Sequence, residues 1–199
     1  PKRDWSSDVC SSDLLGDSAP VDVLRGKLES VLGSAMEKSL VIDAMLAENQ
    51  TQSHALWKIR ETIPEACRDE PGMLYRHDIA VAVGKIPQFI HDGRNALNKH
   101  FKNTRLICFG HLGDGNLHYN AFVENRLRSD PAAREAHDVT TVIYDIVKQY
   151  KGSFSAEHGV GIAKLDEMKR YKDPVEIDLM RTVKRALDPK GIMNPGKVL

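Results

Sequence analysis

The strongest constraint on the fold is a glycine-rich stretch from Gly110 to Asn120, which reads GHLGDGNLHYN. An apolar run precedes it at 106–109 and another follows at 119–123. Two such runs joined by a short Asp/Gly/Asn segment are typical of a β-hairpin, whose turn uses the positive φ values that glycine allows. A hairpin brings His111 and His118 side by side. Because imidazole is the commonest metal-binding side chain, the pair predicts a site for a divalent transition metal.

A second glycine-rich stretch, SAEHGVG from Ser155 to Gly161, places Glu157 next to His158. Two histidines and one glutamate form a ligand set that binds Zn²⁺ and leaves one position open for a substrate. A further histidine can then act as a base. Since the chain has eight histidines, the alternative for each of these residues is a structural or solvent-facing side chain.

Together, the two stretches resemble the C-terminal domain of FAD-linked oxidases. That family includes D-lactate dehydrogenases, glycolate oxidase subunits and D-2-hydroxyglutarate dehydrogenases. The closing sequence DPKGIMNPGK at 188–197 matches the family as well, and the resemblance covers the chain from about residue 40 to residue 199. It implies an FAD-dependent dehydrogenase that oxidises a D-2-hydroxy acid to a 2-oxo acid, with FAD held mostly by a larger domain N-terminal to this region.

The resemblance also implies roles for the residues of both stretches. It makes His111, His118 and Glu157 the ligands of a divalent metal, taken to be Zn²⁺, and His158 the catalytic base. It makes Asn120 a hydrogen-bond partner of the substrate. The period of two along a strand supports this last role, because it puts Asn120 on the same face as His118. The alternative for Asn120 is a strand-edge amide bonded to a neighbouring backbone.

Three further residues gain roles from the resemblance. Arg60, in the segment LWKIRE, is implied to contact the substrate carboxylate, which a guanidinium group pairs with bidentately; a surface ion pair is the alternative. Arg76 is implied to bind substrate, although the family usually has Lys there and Arg differs in shape and reach. Asn194 is implied to meet the flavin, with turn formation before the following proline as the alternative. Pro64 stands where some members carry a hydroxyl that contacts the substrate.

Composition excludes several classes of protein. With 28 basic and 28 acidic residues, the chain lacks the basic excess that nucleic-acid binding usually demands. No apolar run approaches the roughly 20 residues that span a bilayer, and the polar start gives no signal peptide. The three cysteines have no paired spacing and predict reduced thiols in a cytoplasmic protein. The length of 199 residues allows one domain with a substantial core.

Hydrophobic periodicity predicts an α+β fold, in which strands alternate with helices. The resemblance implies a ferredoxin-like antiparallel sheet covered by helices, with a C-terminal helical segment and an extended tail. For His77 and Asp78, in one of the strands, a polar pair at a strand edge is the structural alternative to a functional role. Residues 1–14 are expected to be disordered or an adapter-derived artefact, and residues 15–199 to form the domain. Besides the hairpin, strands are predicted at 40–47 and 75–83, and helices at 21–38, 48–66, 87–101, 131–150, 160–170 and 174–187.

The sequence leaves several alternatives open. It contains neither GxGxxG nor GxxxxGK[ST], so the chain is expected to be the substrate- and metal-binding portion of the enzyme, inactive and colourless without its FAD-binding domain or subunit. A metal-dependent hydrolase is one alternative, although the HExxH motif is missing. A non-catalytic subunit that docks on a separate flavoprotein is another. A homodimer is left open, as are the particular 2-hydroxy acid and the electron acceptor.

Overall fold

The computed structural model describes residues 21–68, 73–123 and 134–199. The chain divides into two compact units, Pro1–Asp69 and Glu70–Leu199. The predicted boundary between residues 14 and 15 lies outside the described residues. Within the described ranges, every helix is too short or too polar to cross a membrane.

The first unit contains two helices, α1 (Val21–Glu37) and α2 (Gln50–Ala66). Helix α2 begins two residues later than predicted because Asn49 caps it: the Asn49 side chain accepts a hydrogen bond of 3.0 Å from the backbone N–H of Gln52. Pro64 lies inside α2, which ends soon after it, as expected.

The strand predicted at 40–47 is wrong. This segment has no regular secondary structure, and its apolar side chains Leu40, Ile42 and Met45 are 76%, 96% and 76% exposed. A strand needs a hydrogen-bonding neighbour, and the described part of this unit contains none. The apolar segment at 40–47 therefore has no neighbouring strand with which to form a sheet in the described part of this unit.

The second unit is built on a three-stranded antiparallel sheet. Its strands are β1 (Met73–Ala80), β2 (Thr104–His111) and β3 (Asn116–Val123), in the spatial order β1-β3-β2. Helix α3 (Ile86–His100) connects β1 to β2, and α4 (Arg134–Gln149) follows β3. Ser153 then forms an isolated antiparallel bridge with Ala80. This is the β-α-β-β-α order of a ferredoxin-like unit whose last strand is reduced to one bridge, and the α+β prediction is confirmed.

The sheet has one apolar and one polar face. The apolar face packs under α3 and α4, and each large side chain buried there contributes about 1.5–3 kcal/mol. The opposite face carries Arg76 and Asp78 of β1 and His118 and Asn120 of β3, whereas His77 of β1 is buried on the helix-covered face. The buried core includes Tyr75, Ile79, Phe89, Leu97, Leu117, Tyr119, Ala121, Val139 and Ile143.

The remaining elements are α5 (Leu165–Tyr171) and α6 (Pro174–Leu187). The helix predicted from residue 160 starts later, because Gly159 and Gly161 have positive φ values of 76° and 55° and hold the chain in a loop. Helix α6 has the predicted bounds. The predicted start of α4 at 131 lies outside the described residues. Strand β1 ends before residue 83 because a 3₁₀ turn occupies Val83–Lys85.

Candidate functional site

The β2–β3 hairpin is held at its turn by Gly115. This residue has a φ of 79°, and a Cβ there would overlap the carbonyl oxygen of Val81. The Val81 N–H donates a hydrogen bond of 3.1 Å to the Gly115 carbonyl. Within the turn, the Asp114 carboxylate accepts from the backbone N–H of Asn116 at 2.9 Å. The predicted hairpin is therefore confirmed, and glycine is needed at its tip.

The hairpin places His111 and His118 beside each other, with ring centroids 6.1 Å apart. His111 is exposed, whereas the side chain of His118 is only 16% exposed. On β2, Phe109 is the register partner of His118, and their rings lie 5.0 Å apart. On β1, the register partner of His118 is Asp78.

Asp78 fixes the second glycine-rich stretch to the sheet. One carboxylate oxygen, Oδ2, accepts hydrogen bonds from three successive backbone N–H groups: those of Ala156 at 3.1 Å, Glu157 at 3.0 Å and His158 at 2.9 Å. The Asp78 side chain is 3% exposed. Its other oxygen, Oδ1, is buried and has no hydrogen-bond partner among the described residues.

This loop brings the Glu157 carboxylate between the histidines. Its Oε1 lies 3.1 Å from His118 Nε2 and 3.5 Å from His158 Nε2, and its Oε2 lies 3.9 Å from His111 Nε2. The rings of His118 and His158 stack with centroids 5.6 Å apart. Ligand atoms about 2.0–2.1 Å from a tetrahedral Zn²⁺ stand roughly 3.3 Å from one another. The 3.1 Å separation of Glu157 from His118 therefore fits a shared divalent cation, whereas the 3.9 Å separation from His111 is longer than this value.

A second group of ligand atoms overlaps the predicted set. Atoms of Asp78, His118, Glu157 and His158 all lie within 4.8 Å of one another. This group contains Asp78 and His158 and leaves out the predicted ligand His111. Asp78 Oδ2 already accepts three backbone hydrogen bonds, whereas its Oδ1 has no partner among the described residues.

The pKa values of Asp78 and Lys164, the two charged residues that hold this loop, are both shifted from their ordinary values. Burial alone would raise the pKa of Asp78. The hydrogen bonds from the His158 and Glu157 amides, together with the nearby charges of His158 and Lys164, outweigh burial and lower it. Burial lowers the pKa of Lys164, whose Nζ donates to the Phe154 carbonyl at 3.2 Å and to Ser155 Oγ at 3.0 Å. Lys164 thus holds the start of the loop that Asp78 holds at its centre.

The other predicted site residues fall in three places. Asn120 lies two residues beyond His118 on β3, and its register partner is Arg76 on β1. Both therefore lie on the polar face, where Asn120 is buried and Arg76 is exposed. Arg60 lies in α2 of the first unit. Asn194 lies in the C-terminal tail with a positive φ of 48°.

The tail also contacts the loop. The backbone N–H of Val198 donates a hydrogen bond of 2.8 Å to the carbonyl of Gly161. Asp188 shapes the turn before Asn194, because its carboxylate accepts from the N–H groups of Ile192 and Met193, each at 3.0 Å.

Asp78 is the residue that sequence reasoning missed. A polar pair at a strand edge was the structural alternative for Asp78 and His77, but both side chains are buried, on opposite faces of β1. A carboxylate followed directly by the apolar Ile79 and Ala80 in the same strand was the available signal. Its meaning depends on a loop 78 to 80 positions away, which no local pattern reveals.

The fold and the cluster define a class of domain: an α+β domain that presents two histidines, a glutamate and a third histidine on the open face of its sheet. Comparison with known families gives the particular family. The family described as "FAD linked oxidases, C-terminal domain" matches residues 14–198. The chain belongs to the FAD-linked oxidase family, which confirms the resemblance in its sequence.

Curated relatives narrow the comparison further. The chain is 37% identical over 163 residues to the D-2-hydroxyglutarate dehydrogenase of Stutzerimonas stutzeri, a match that covers 82% of this chain and 35% of the relative. It is 37% identical to the mitochondrial D-2-hydroxyglutarate dehydrogenase of Arabidopsis thaliana, with 88% and 30% covered. For the mitochondrial enzyme of Danio rerio, the identity is 39%, with 87% and 31% covered. The matched region thus spans about a third of the length of each of these relatives.

Proposed function

We propose that this chain forms the substrate- and metal-binding part of an FAD-dependent dehydrogenase that oxidises a D-2-hydroxy acid to a 2-oxo acid. The observation that carries the proposal is the position of Glu157, whose carboxylate lies 3.1 Å from His118 and 3.9 Å from His111 on the polar face of the sheet. The names of the relatives make D-2-hydroxyglutarate the first substrate to test.

The proposed metal ligands are His111, His118 and Glu157, and the proposed ion is Zn²⁺. A bound divalent cation supplies Lewis-acid polarisation of the substrate hydroxyl, which lowers the pKa of that hydroxyl. The donor set supports this assignment, because imidazole nitrogen and carboxylate oxygen are both ordinary zinc ligands.

The side chains around the ligands have distinct proposed roles. His158 takes the hydroxyl proton, since its Nε2 lies 3.5 Å from Glu157 Oε1 and its ring is exposed to an incoming substrate. Asn120 hydrogen-bonds the substrate and Arg76 pairs with a carboxylate, from one cross-strand row of the polar face. The Cα hydrogen leaves as a hydride, so the substrate loses two electrons and becomes the 2-oxo acid. A bound FAD supplies the two-electron acceptor for this oxidation.

Several assignments stay predictions. The substrate contact of Arg60, the flavin contact of Asn194 and a flavin-bearing domain or subunit as partner rest on the family resemblance. The cytoplasmic location rests on the unpaired spacing of the cysteines, and a homodimer is left open. The relatives from Arabidopsis thaliana and Danio rerio are described as mitochondrial, so the location needs its own measurement.

Metal content tests the proposal most directly. We expect elemental analysis of the purified chain to find about one zinc per chain, and the His111→Ala variant to lose it. The matched control is His91→Ala, because His91 is an exposed histidine on α3 that hydrogen-bonds Asn95. An equal zinc content in all three proteins, or none in the wild-type chain after incubation with Zn²⁺, would contradict the metal assignment.

Dehydrogenation is tested by reconstitution. The chain is combined with a flavin-bearing domain of the family, and the reduction of an electron-accepting dye is followed with D-2-hydroxyglutarate, D-lactate or glycolate. We expect turnover with at least one of these acids, and a large loss in the His158→Ala variant. Hydrolytic activity without any flavin would instead favour a metal-dependent hydrolase.

A further inference from the structure

We infer that Asp78 is a positioning residue whose carboxylate fixes the backbone of residues 156–158 and thereby holds Glu157 and His158 against His118. The inference rests on the proposed function only for the identity of the metal and substrate that the site binds. The role of Asp78 in fixing the loop is argued from the hydrogen bonds of the loop itself.

The first step is the placement of Asp78 on the sheet. Asp78 on β1 is the direct register partner of His118 on β3, so the two side chains lie on the same face of neighbouring strands. A group bound to the Asp78 carboxylate is therefore held next to the His118 imidazole.

The second step is the number of backbone groups that meet one oxygen. The N–H groups of Ala156, Glu157 and His158 all donate to Asp78 Oδ2, at 3.1, 3.0 and 2.9 Å. Successive N–H groups that converge in this way form a nest for an anion. Because the acceptor is ionised, each hydrogen bond is stronger than its neutral counterpart. The carboxylate thus defines the backbone path at the two residues that carry the chemistry.

The third step is that the other hydrogen bonds of the loop, including that of Ser155 Oγ to the Gly159 carbonyl, do not reach the N–H groups of Glu157 and His158. Lys164 contacts Phe154 and Ser155, before the acidic residue. Val198 bonds the carbonyl of Gly161, after it. Among the described hydrogen bonds, those to Asp78 are the ones made by side chains to the backbone N–H groups of Glu157 and His158. The Glu157 side chain is itself 43% exposed, so packing does not fix it.

The fourth step is the cost of this arrangement. Asp78 is buried, and its Oδ1 has no hydrogen-bond partner in the described part of the chain. A buried polar atom without a partner costs stability. An apolar residue at this position would avoid that cost but would leave the N–H groups of Glu157 and His158 without their acceptor, whereas Ala156 would keep its 3.3 Å hydrogen bond to the main-chain carbonyl of residue 78. The arrangement therefore favours loop geometry over stability.

Two variants test the inference. Asp78→Asn keeps the size of the side chain and removes its charge. Asp92→Asn is the matched control, because the Asp92 carboxylate also accepts hydrogen bonds, from Tyr150 and Gln88, but lies on α3 away from the site. Amide hydrogen exchange at residues 156–158 is measured by NMR, and Co²⁺ affinity is measured by titration of its visible absorption band.

In Asp78→Asn, we expect exchange at the three amides to accelerate by at least about 10-fold, since their acceptor loses its negative charge and one of its two oxygens becomes a donor NH₂ group. We expect Co²⁺ affinity to fall by about 10- to 100-fold, the usual effect of losing a group that orients metal ligands. Both properties should stay at the wild-type level in Asp92→Asn. A purely structural Asp78 would accelerate exchange without a specific loss of Co²⁺ affinity.

Each outcome is decisive. Unchanged amide exchange in Asp78→Asn would overturn the inference, and so would unchanged Co²⁺ affinity in a wild-type chain that binds the ion. If the wild-type chain bound no Co²⁺, the metal assignment would fail; accelerated exchange would then support only the fixing of the loop backbone by Asp78, and unchanged exchange would overturn that as well. If Asp78→Asn did not fold, Asp78→Glu would replace it: the charge is kept but displaced, and wild-type exchange and affinity in that variant would overturn the inference.

Discussion

The imidazole Nε2 of His118 lies 3.1 Å from the carboxylate Oε1 of Glu157, although one residue belongs to a strand and the other to a distant loop. His118 is mostly buried beside Phe109 and is fixed by the sheet. Glu157 is fixed through the backbone of its loop. The mostly buried imidazole of His118 and the exposed carboxylate of Glu157 thus lie close enough to bind the same cation.

Replacing Glu157 by Gln removes the charge of the proposed shared ligand while keeping its size. We expect Zn²⁺ affinity to fall more than about 10-fold, since even groups that only orient metal ligands have effects of that order. Isothermal titration with Zn²⁺ measures the change. The control is Glu176→Gln, because Glu176 is an exposed glutamate on α6 that pairs with Lys172. Equal affinities in both variants would remove Glu157 from the ligand set.

His77 should make the protein sensitive to acid. Burial is the main influence on its imidazole and lowers its pKa from 6.5 to about 4. Its Nδ1 donates to the Tyr119 carbonyl at 2.9 Å, so Nε2 is free to accept from Thr140 Oγ1 at 3.2 Å. Between these pKa values the unfolded chain binds a proton that the folded chain does not, so stability rises with pH.

The free energy of unfolding should therefore fall as the pH drops below 6.5. From pH 7 to 4.5 the loss due to His77 is about 2 kcal/mol. Urea unfolding at both values measures it. The His77→Gln variant should lose less stability over this interval, whereas His91→Gln, at an exposed histidine, should behave like the wild type. The same loss in all three proteins would show that another group dominates.

Gly115→Ala should destabilise the hairpin. The positive φ of 79° disfavours an L-residue by about 1–2 kcal/mol, and the new Cβ would overlap the Val81 carbonyl oxygen. We expect the free energy of unfolding to fall by more than about 2 kcal/mol. Gly113→Ala is the control from the same turn, since a Cβ there meets no atom within 4 Å. Similar thermal midpoints for both variants would contradict this account of the turn.

Arg76 should act on substrate binding. Arg76→Ala removes an exposed cation beside Asn120 and should raise KM by about 10- to 100-fold in the reconstituted enzyme, the usual value of a hydrogen bond to a charged group. Arg76→Lys restores the residue that the family usually has and should stay close to the wild type. Arg94→Ala, at an exposed position on α3, is the control. An unchanged KM in Arg76→Ala would assign the substrate carboxylate to another residue.

Local chemistry explains which elements were predictable. The hairpin depends on a turn at Gly115, and α6 begins at the proline that its sequence marks, so short patterns sufficed. The strand predicted at 40–47 is absent, because an apolar segment forms a strand only where a neighbouring strand can hydrogen-bond to it. The helix predicted from residue 160 begins only at Leu165, because the positive backbone φ at Gly161 overrides the apolar pattern.

The candidate site likewise has one part that the sequence predicts and one part that it does not. His111 and His118 are close because one turn joins their strands, and the sequence shows that turn. Asp78 could not be interpreted from its neighbours, because its meaning comes from amides of a loop far along the chain.

The alternation of β3 divides its side chains by chemistry rather than by exposure. Leu117, Tyr119 and Ala121 point into the helix-covered core, whereas His118 and Asn120 point to the opposite face. Both sets are mostly buried, since Asn120 is only 5% exposed. Random substitution along this strand should therefore reduce cellular abundance at positions of both parities, and least at His118, the one position of β3 that is not fully buried. A library built to change substrate preference would have to keep the side-chain volumes of β3 while it varies the chemistry of one parity.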